Sequence, residues 1–191
     1  MKILIVISFL LFLSGCDMFT TRKAALPNQP RADFQQAVTP EIVIQNLINS
    51  LKDKNVQNYL ACFSDSAFTA KKFVFIPSTG AISKFPSFSY GWNKKNEEQY
   101  FNNMISRVTG NLPIVLKFSN VSTSPMGDSL IYTASYFLNV PNNDVSIPNN
   151  YQGDLQFKMT IDSRSVWSIY YWQDSKNSSL PTWSELKGRF Y

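Results

Sequence analysis

Few side chains in this 191-residue chain carry obvious chemistry: it has no histidine, two cysteines and 13 acidic residues. The usual general base near neutral pH and the commonest metal ligand are therefore missing. Acid–base work would fall to carboxylates and phenols. Two aspartates stand out by position. Asp65 follows the apolar stretch Tyr59-Leu60-Ala61-Cys62-Phe63, and Asp174 closes the aromatic run Val166 to Trp172. Either could act as a base if burial raised its pKa, and either could equally be a solvated or capping carboxylate. Glu97 and Glu98 fall at the start of a helical pattern, where their charge complements the helix dipole. Cys62, set among apolar neighbours, reads as a buried structural thiol. No phosphate loop, paired-cysteine motif or nucleophile elbow is present, so no cofactor and no metal is expected. The formal charge of +5 is spread without a block of five or more like charges, which argues against a nucleic-acid partner.

The other cysteine, Cys16, has a different setting. Met1-Lys2 precedes an almost wholly apolar segment, Ile3 to Leu13, of secretory length. As a helix it would rise only about 17 Å against a hydrocarbon core of roughly 30 Å, too short to span alone. Leu13-Ser14-Gly15-Cys16 follows, and this resembles the lipobox of bacterial lipoproteins. The resemblance implies a signal peptide over 1–15, diacylglycerol on the Cys16 thiol, and a membrane partner through that lipid in the bacterial cell envelope. Acyl chains contributing about 0.8 kcal/mol per buried methylene make such an anchor effectively permanent. An ordinary cleaved signal or an uncleaved anchor is the competing reading. Asp17 resembles the enterobacterial inner-membrane retention signal, a rule other bacteria do not follow, so inner and outer membrane both stay open. Residues 16–38 are rich in Thr, Pro, Asn, Gln and Arg and are expected to be a flexible tether. About twenty such residues span some 25 Å on average and at most around 70 Å.

The folded domain is expected over 39–191, and 44% hydrophobic with 15% aromatic residues suffices for its core. Thr39-Pro40-Glu41 opens a first helix carrying Val43, Leu47, Ile48 and Leu51 at helical spacing. A second begins near Asn55 with Val56, Tyr59, Leu60 and Phe63 on one side. Residues 68–76 read as an early strand and 78–91 as a long loop. After Trp92 a third helix carries Tyr100, Phe101, Met104, Ile105 and Val108, stopped by Gly110. The period then changes to two. Ile114 to Ser119 and Leu130 to Leu138 flank a turn at Pro125-Met126-Gly127-Asp128, and Leu155, Phe157, Met159 and Ile161 form a half-buried strand. The last strand should set Trp167, Ile169 and Tyr171 on one face and Val166, Ser168, Tyr170 and Trp172 on the other. Thr182-Trp183-Ser184-Glu185 is a capping box for a short terminal helix, with Trp183, Leu186 or Phe190 packing back.

Helices followed by a run of antiparallel strands make an α+β fold with a curved antiparallel sheet and the N-terminal helices packed on its concave face. This order resembles the nuclear transport factor 2-like (NTF2-like) superfamily, the cystatin-like cone shared with SnoaL-type cyclases and ketosteroid isomerases. The resemblance rests on Leu51-Lys52-Asp53-Lys54-Asn55, Leu60-Ala61-Cys62-Phe63-Ser64-Asp65, the aromatic helix after Trp92, and Val166-Trp167-Ser168-Ile169. It implies a pocket between sheet and helices. Tyr59, Trp92, Tyr100, Tyr132, Tyr136, Phe157, Met159, Trp167 and Tyr171 are candidates to line it, each competing with a plain core role. Two functions follow as expectations. One is a non-enzymatic envelope lipoprotein binding a small apolar or amphipathic ligand or a protein partner. The other is a lipid-tethered isomerase, dehydratase or cyclase-like enzyme using Asp and Tyr. A third arrangement fills the cone with its own side chains and forms a homodimer through the sheet's outer face, with Tyr170 and Trp172 exposed there.

Overall fold

The computed structural model describes residues 33–191; the expected signal peptide, Cys16 and most of the expected tether lie outside the described residues. Chain order is α1 (Pro40–Lys52), α2 (Val56–Ala61), β1 (Val74–Ile76), α3 (Thr79–Lys84), a 3-10 helix (Pro86–Tyr90), α4 (Lys94–Ile105), β2 (Val115–Met126), β3 (Ser129–Asn139), β4 (Asn150–Ile161), β5 (Trp167–Ser175) and α5 (Trp183–Phe190). The five strands form one sheet in the order β1-β5-β4-β3-β2. β1 runs parallel to β5, and the other pairs are antiparallel. Alternation puts Leu130, Tyr132, Ala134, Tyr136 and Leu138 of β3, with Tyr151, Leu155, Phe157 and Met159 of β4, into the core beneath the helices. Their odd-and-even neighbours form an open face. Among the described residues no helix is long and apolar enough to cross a membrane.

α1, α2, α4 and α5 form where expected, although Thr39 makes no side-chain cap hydrogen bond to α1. Pro40 takes the first turn of α1, and Val43, Leu47 and Leu51 bury its inner stripe completely. Asn93 caps α4 reciprocally with Asn96. Packing begins earlier than Thr39, however. Residues 33–38, assigned by composition to the tether, run along α1: Asn46 exchanges hydrogen bonds with the Gln35 backbone, Asn49 donates to the Asp33 carbonyl at 2.9 Å, and Ala37 is buried.

Three expectations are corrected. The strand expected over 68–76 shrinks to Val74–Ile76, because the Asp65 carbonyl takes the amides of Phe68 and Thr69 into a turn. The expected loop 78–91 is instead α3 and a 3-10 helix. Pro86 stands in the first turn of the latter, where its missing N–H is harmless, and Gly91 ends it at φ +79°. Finally, a register shift between Lys158 and Met159 leaves Tyr170 unpaired in β5. This bulge reverses the side-chain phase beyond it. Trp172, expected on the outer face, is fully buried, while Tyr171, expected in the pocket, joins the open face beside Lys158.

Candidate functional site

The terminal helix determines what occupies the cone. Its capping box forms as the sequence implies: Thr182 Oγ1 accepts from the Glu185 amide and Glu185 Oε1 accepts from the Thr182 amide. The first turn then docks on Asp174, whose Oδ2 accepts from the Ser184 amide at 2.7 Å and from the Ser184 hydroxyl. Asp174 Oδ1 accepts from Tyr136 OH at 2.8 Å, and the Tyr136 oxygen in turn accepts the Trp183 amide at 2.7 Å. Ser78 completes the joint, donating its amide to Ser184 Oγ at 2.9 Å. Gly153 makes this arrangement fit, since a Cβ there would stand 2.5 Å from the Ser175 carbonyl oxygen and 2.7 Å from Tyr136 OH.

Docked this way, α5 drives Trp183, Leu186 and Lys187 into the cone, all at 0% exposure. The Trp183 ring lies edge-on to Trp172 at 4.6 Å and donates its indole N–H to Tyr100 OH at 2.9 Å. The Lys187 ammonium pairs with Glu97 Oε1. It sits inside a cage of rings, 3.8 Å from the centroid of Trp172, 4.3 Å from Phe75, 5.0 Å from Tyr100 and 5.7 Å from Trp92. Glu97 has two further donors, Tyr59 OH at 2.5 Å and Trp92 Nε1 at 2.6 Å. Two buried carboxylates thus each hold three donors from their own chain.

Electrostatics follow from burial. Desolvation lowers the Lys187 pKa to about 8, against the pull of Glu97. Burial raises the Asp174 pKa from its ordinary value, with the Ser184 and Tyr136 hydrogen bonds opposing it. Tyr59, Tyr100 and Tyr136 are all pushed well up, first by burial and then by the neighbouring carboxylates. None of these phenols is poised to release a proton near neutral pH.

The sequence candidates separate accordingly. Tyr59, Trp92, Tyr100, Tyr132, Tyr136, Phe157 and Met159 join one buried core; Trp167 is half-buried against it, and Tyr171 lies on the other face. Asp174 is an internal anchor. Asp65 is exposed, accepts the Ala67 amide at 2.9 Å and shares no partner with Asp174. Cys62 is buried, donates to the Asn58 carbonyl and has its pKa raised by burial, consistent with an inert thiol. Among the described residues no group of three or more His, Cys, Asp and Glu side chains is placed to hold a metal. Surface depressions of about 320, 440, 500 and 400 Å³ lie elsewhere, none bordered by Glu97, Asp174 or Lys187.

No family model matches the sequence, and no curated protein matches it. Solved structures do. A putative scytalone dehydratase from Novosphingobium aromaticivorans superposes with TM-score 0.56 at 8% identity, over 72% of this chain and 81% of that one. An NTF2-like superfamily protein from Salmonella enterica gives 0.54 at 12%, over 74% and 92%. A putative dehydratase of the NTF2-like family from Streptomyces avermitilis gives 0.51 at 9%, over 79% and 100%. The fold is the NTF2-like cone. At these identities the likeness is one of architecture, and the chemistry must be read from this chain's own residues.

Sequence reasoning assigned no role to Lys187 and treated Glu97 as a dipole charge. A signal for both existed. Lys187 is four residues after Trp183 and three before Phe190, and Glu97 is three before Tyr100 and four before Phe101, so each charge lies on the apolar stripe of its helix.

Proposed function

We propose that the protein is a lipid-anchored, non-enzymatic binding module of the bacterial cell envelope, held by Cys16 and working through its outer surface rather than its cone. The observation that carries the reading is the occupation of the cone by α5. Lys187 stands in the aromatic cage, and the carboxylates of Glu97 and Asp174 are each satisfied by three internal donors. A general base needs a free lone pair within reach of a substrate proton. Glu97 and Asp174, at 0% and 2% exposure, are buried beneath α5 and out of a substrate's reach.

The anchor reading draws on Leu13-Ser14-Gly15-Cys16 behind its apolar segment. The dehydratase names carried by two of the similar structures motivate the competing reading of a tethered enzyme. That reading would require α5 to leave the cone.

The test is metabolic labelling with a radioactive fatty acid, together with native mass spectrometry of the purified chain. Labelling of the wild type that Cys16→Ser abolishes, with no small molecule retained in the domain, is expected. Label persisting in Cys16→Ser would overturn the anchor, and a bound metabolite lodged in the cone would overturn the surface-binding reading.

A further inference from the structure

The open face of the sheet carries a depression of about 320 Å³ lined by Asn120, Thr133, Ser135, Asp154, Gln156, Gln173 and Ser175, with Ala134 and Leu155 at its floor. Strand register arranges these side chains in two rows: Thr133, Gln156 and Gln173 stand side by side across β3, β4 and β5, and Ser135, Asp154 and Ser175 form the adjacent row. Strand spacing of about 4.8 Å and a two-residue step of about 6.8 Å set hydrogen-bonding groups on a regular grid. The lining holds five amides and hydroxyls besides Asn120, one carboxylate and no cation. It therefore suits neither an anion nor an apolar chain.

The grid is built and partly fixed. β2 shifts register between Ser119 and Ser122, and Asn120 stands in that bulge at φ +52°, donating its amide to Ser135 Oγ at 3.3 Å. Bulges re-aim side chains in this way, and asparagine tolerates the left-handed backbone. Asp154 Oδ1 accepts from Ser135 Oγ at 2.7 Å and Asn177 Nδ2 at 2.6 Å, while Oδ2 has no donor among the described residues. Tyr171 OH donates to Gln173 Oε1 at 3.0 Å, which turns the Gln173 NH₂ into a free donor. Gln156 makes no side-chain hydrogen bond to any described residue. Donors and acceptors thus lie side by side across the grid, with Asn120, Ser135, Asp154 and Gln173 held by neighbouring side chains.

Resting on the surface-binding reading above and supplying its ligand class, we propose that this depression binds a neutral polyhydroxylated chain, an oligosaccharide whose vicinal hydroxyls both donate and accept. Hydroxyls of a sugar match amide pairs and a carboxylate with a free oxygen. Absence of a lining cation disfavours phosphates, sulfates and acidic peptides.

The test uses the full chain in a detergent without a sugar headgroup. Titration calorimetry is run with three probes: the β-1,4-linked N-acetylglucosamine tetramer, cellotetraose and maltotetraose. Saturable binding of at least one is expected, weakened tenfold or more by Gln156→Ala and by Gln173→Ala with Tm unchanged. No saturable binding by any probe, or equal affinity in both variants, overturns the proposal. Self-association lost in Gln156→Ala without sugar binding also overturns it and makes the face a contact between copies. Fatty-acid labelling is independent of all three outcomes, so failure of the anchor and failure of the sugar site are distinguishable.

Discussion

The ammonium of Lys187 stands 3.8 Å from the centroid of the Trp172 ring, at a depth where neither residue has any exposed surface. A lysine there is stable only because its charge is matched, by Glu97 and by the negative faces of four rings. The same relationship makes α5 an integral part of the cone rather than an appendage.

Breaking the pair from one side should be severe. Lys187→Ala leaves the Glu97 carboxylate buried with neutral donors only, and a loss of about 3–5 kcal/mol in urea unfolding is expected. Glu97→Gln combined with Lys187→Met removes both charges at similar volume and should recover most of that loss. A double variant as unstable as the single one would mean that packing, not charge, sets the penalty.

The lowered pKa of Lys187 fixes the sign of a pH effect. Its folded value of about 8 lies below its ordinary 10.5. Between those values the unfolded chain binds the extra proton, so stability rises with pH. The contribution is fully present above about 10.5 and lost as pH falls through about 8. Wild-type stability relative to Lys187→Met should therefore climb from pH 7 to 9.5, a range that stays below the ionisation of ordinary tyrosines. A flat or falling difference in denaturation midpoints would contradict the desolvated environment.

The two aspartates singled out by the sequence should behave oppositely. Asp65 is exposed in its turn, and Asp65→Asn should stay within about 0.5 kcal/mol of wild type. Asp174→Asn offers one acceptor where three donors converge, so a loss of about 1–3 kcal/mol is expected. Equal midpoints in thermal unfolding would show that the anchor on Ser184 is dispensable.

These contrasts show what local pattern carries. Helical spacing from Val43 to Leu51, the alternation through β3 and β4, and the Thr182–Glu185 capping box each depend on neighbours in sequence, and each is readable. The Glu97–Lys187 pair joins positions 90 residues apart, and polarity alone places both charges at the surface. Only their position on apolar stripes hints otherwise. Tyr171 and Trp172 exchange faces because Tyr170 is an unpaired residue against β4, and no composition rule counts such an insertion. The docking of residues 33–38 along α1 is equally non-local, since Asn46 and Asn49 hold that backbone.

Trp183 offers the sharpest test of whether the cone is a ligand pocket with an internal occupant. The ring is fully buried, edge-on to Trp172 at 4.6 Å and to Tyr136 at 5.5 Å. Trp183→Ala should lose about 3–5 kcal/mol and leave an indole-sized space lined by rings. Apolar cavities of that kind stay dry and take up aromatic molecules, and binding to the folded state alone raises Tm by mass action. Added indole should therefore raise the Tm of Trp183→Ala in a concentration-dependent way and leave wild type unchanged. If wild type responds as strongly, indole reaches some other site, and the cone is not what α5 closes. If only the variant responds, the cone encloses a ligand-sized space that α5 fills with its own side chains.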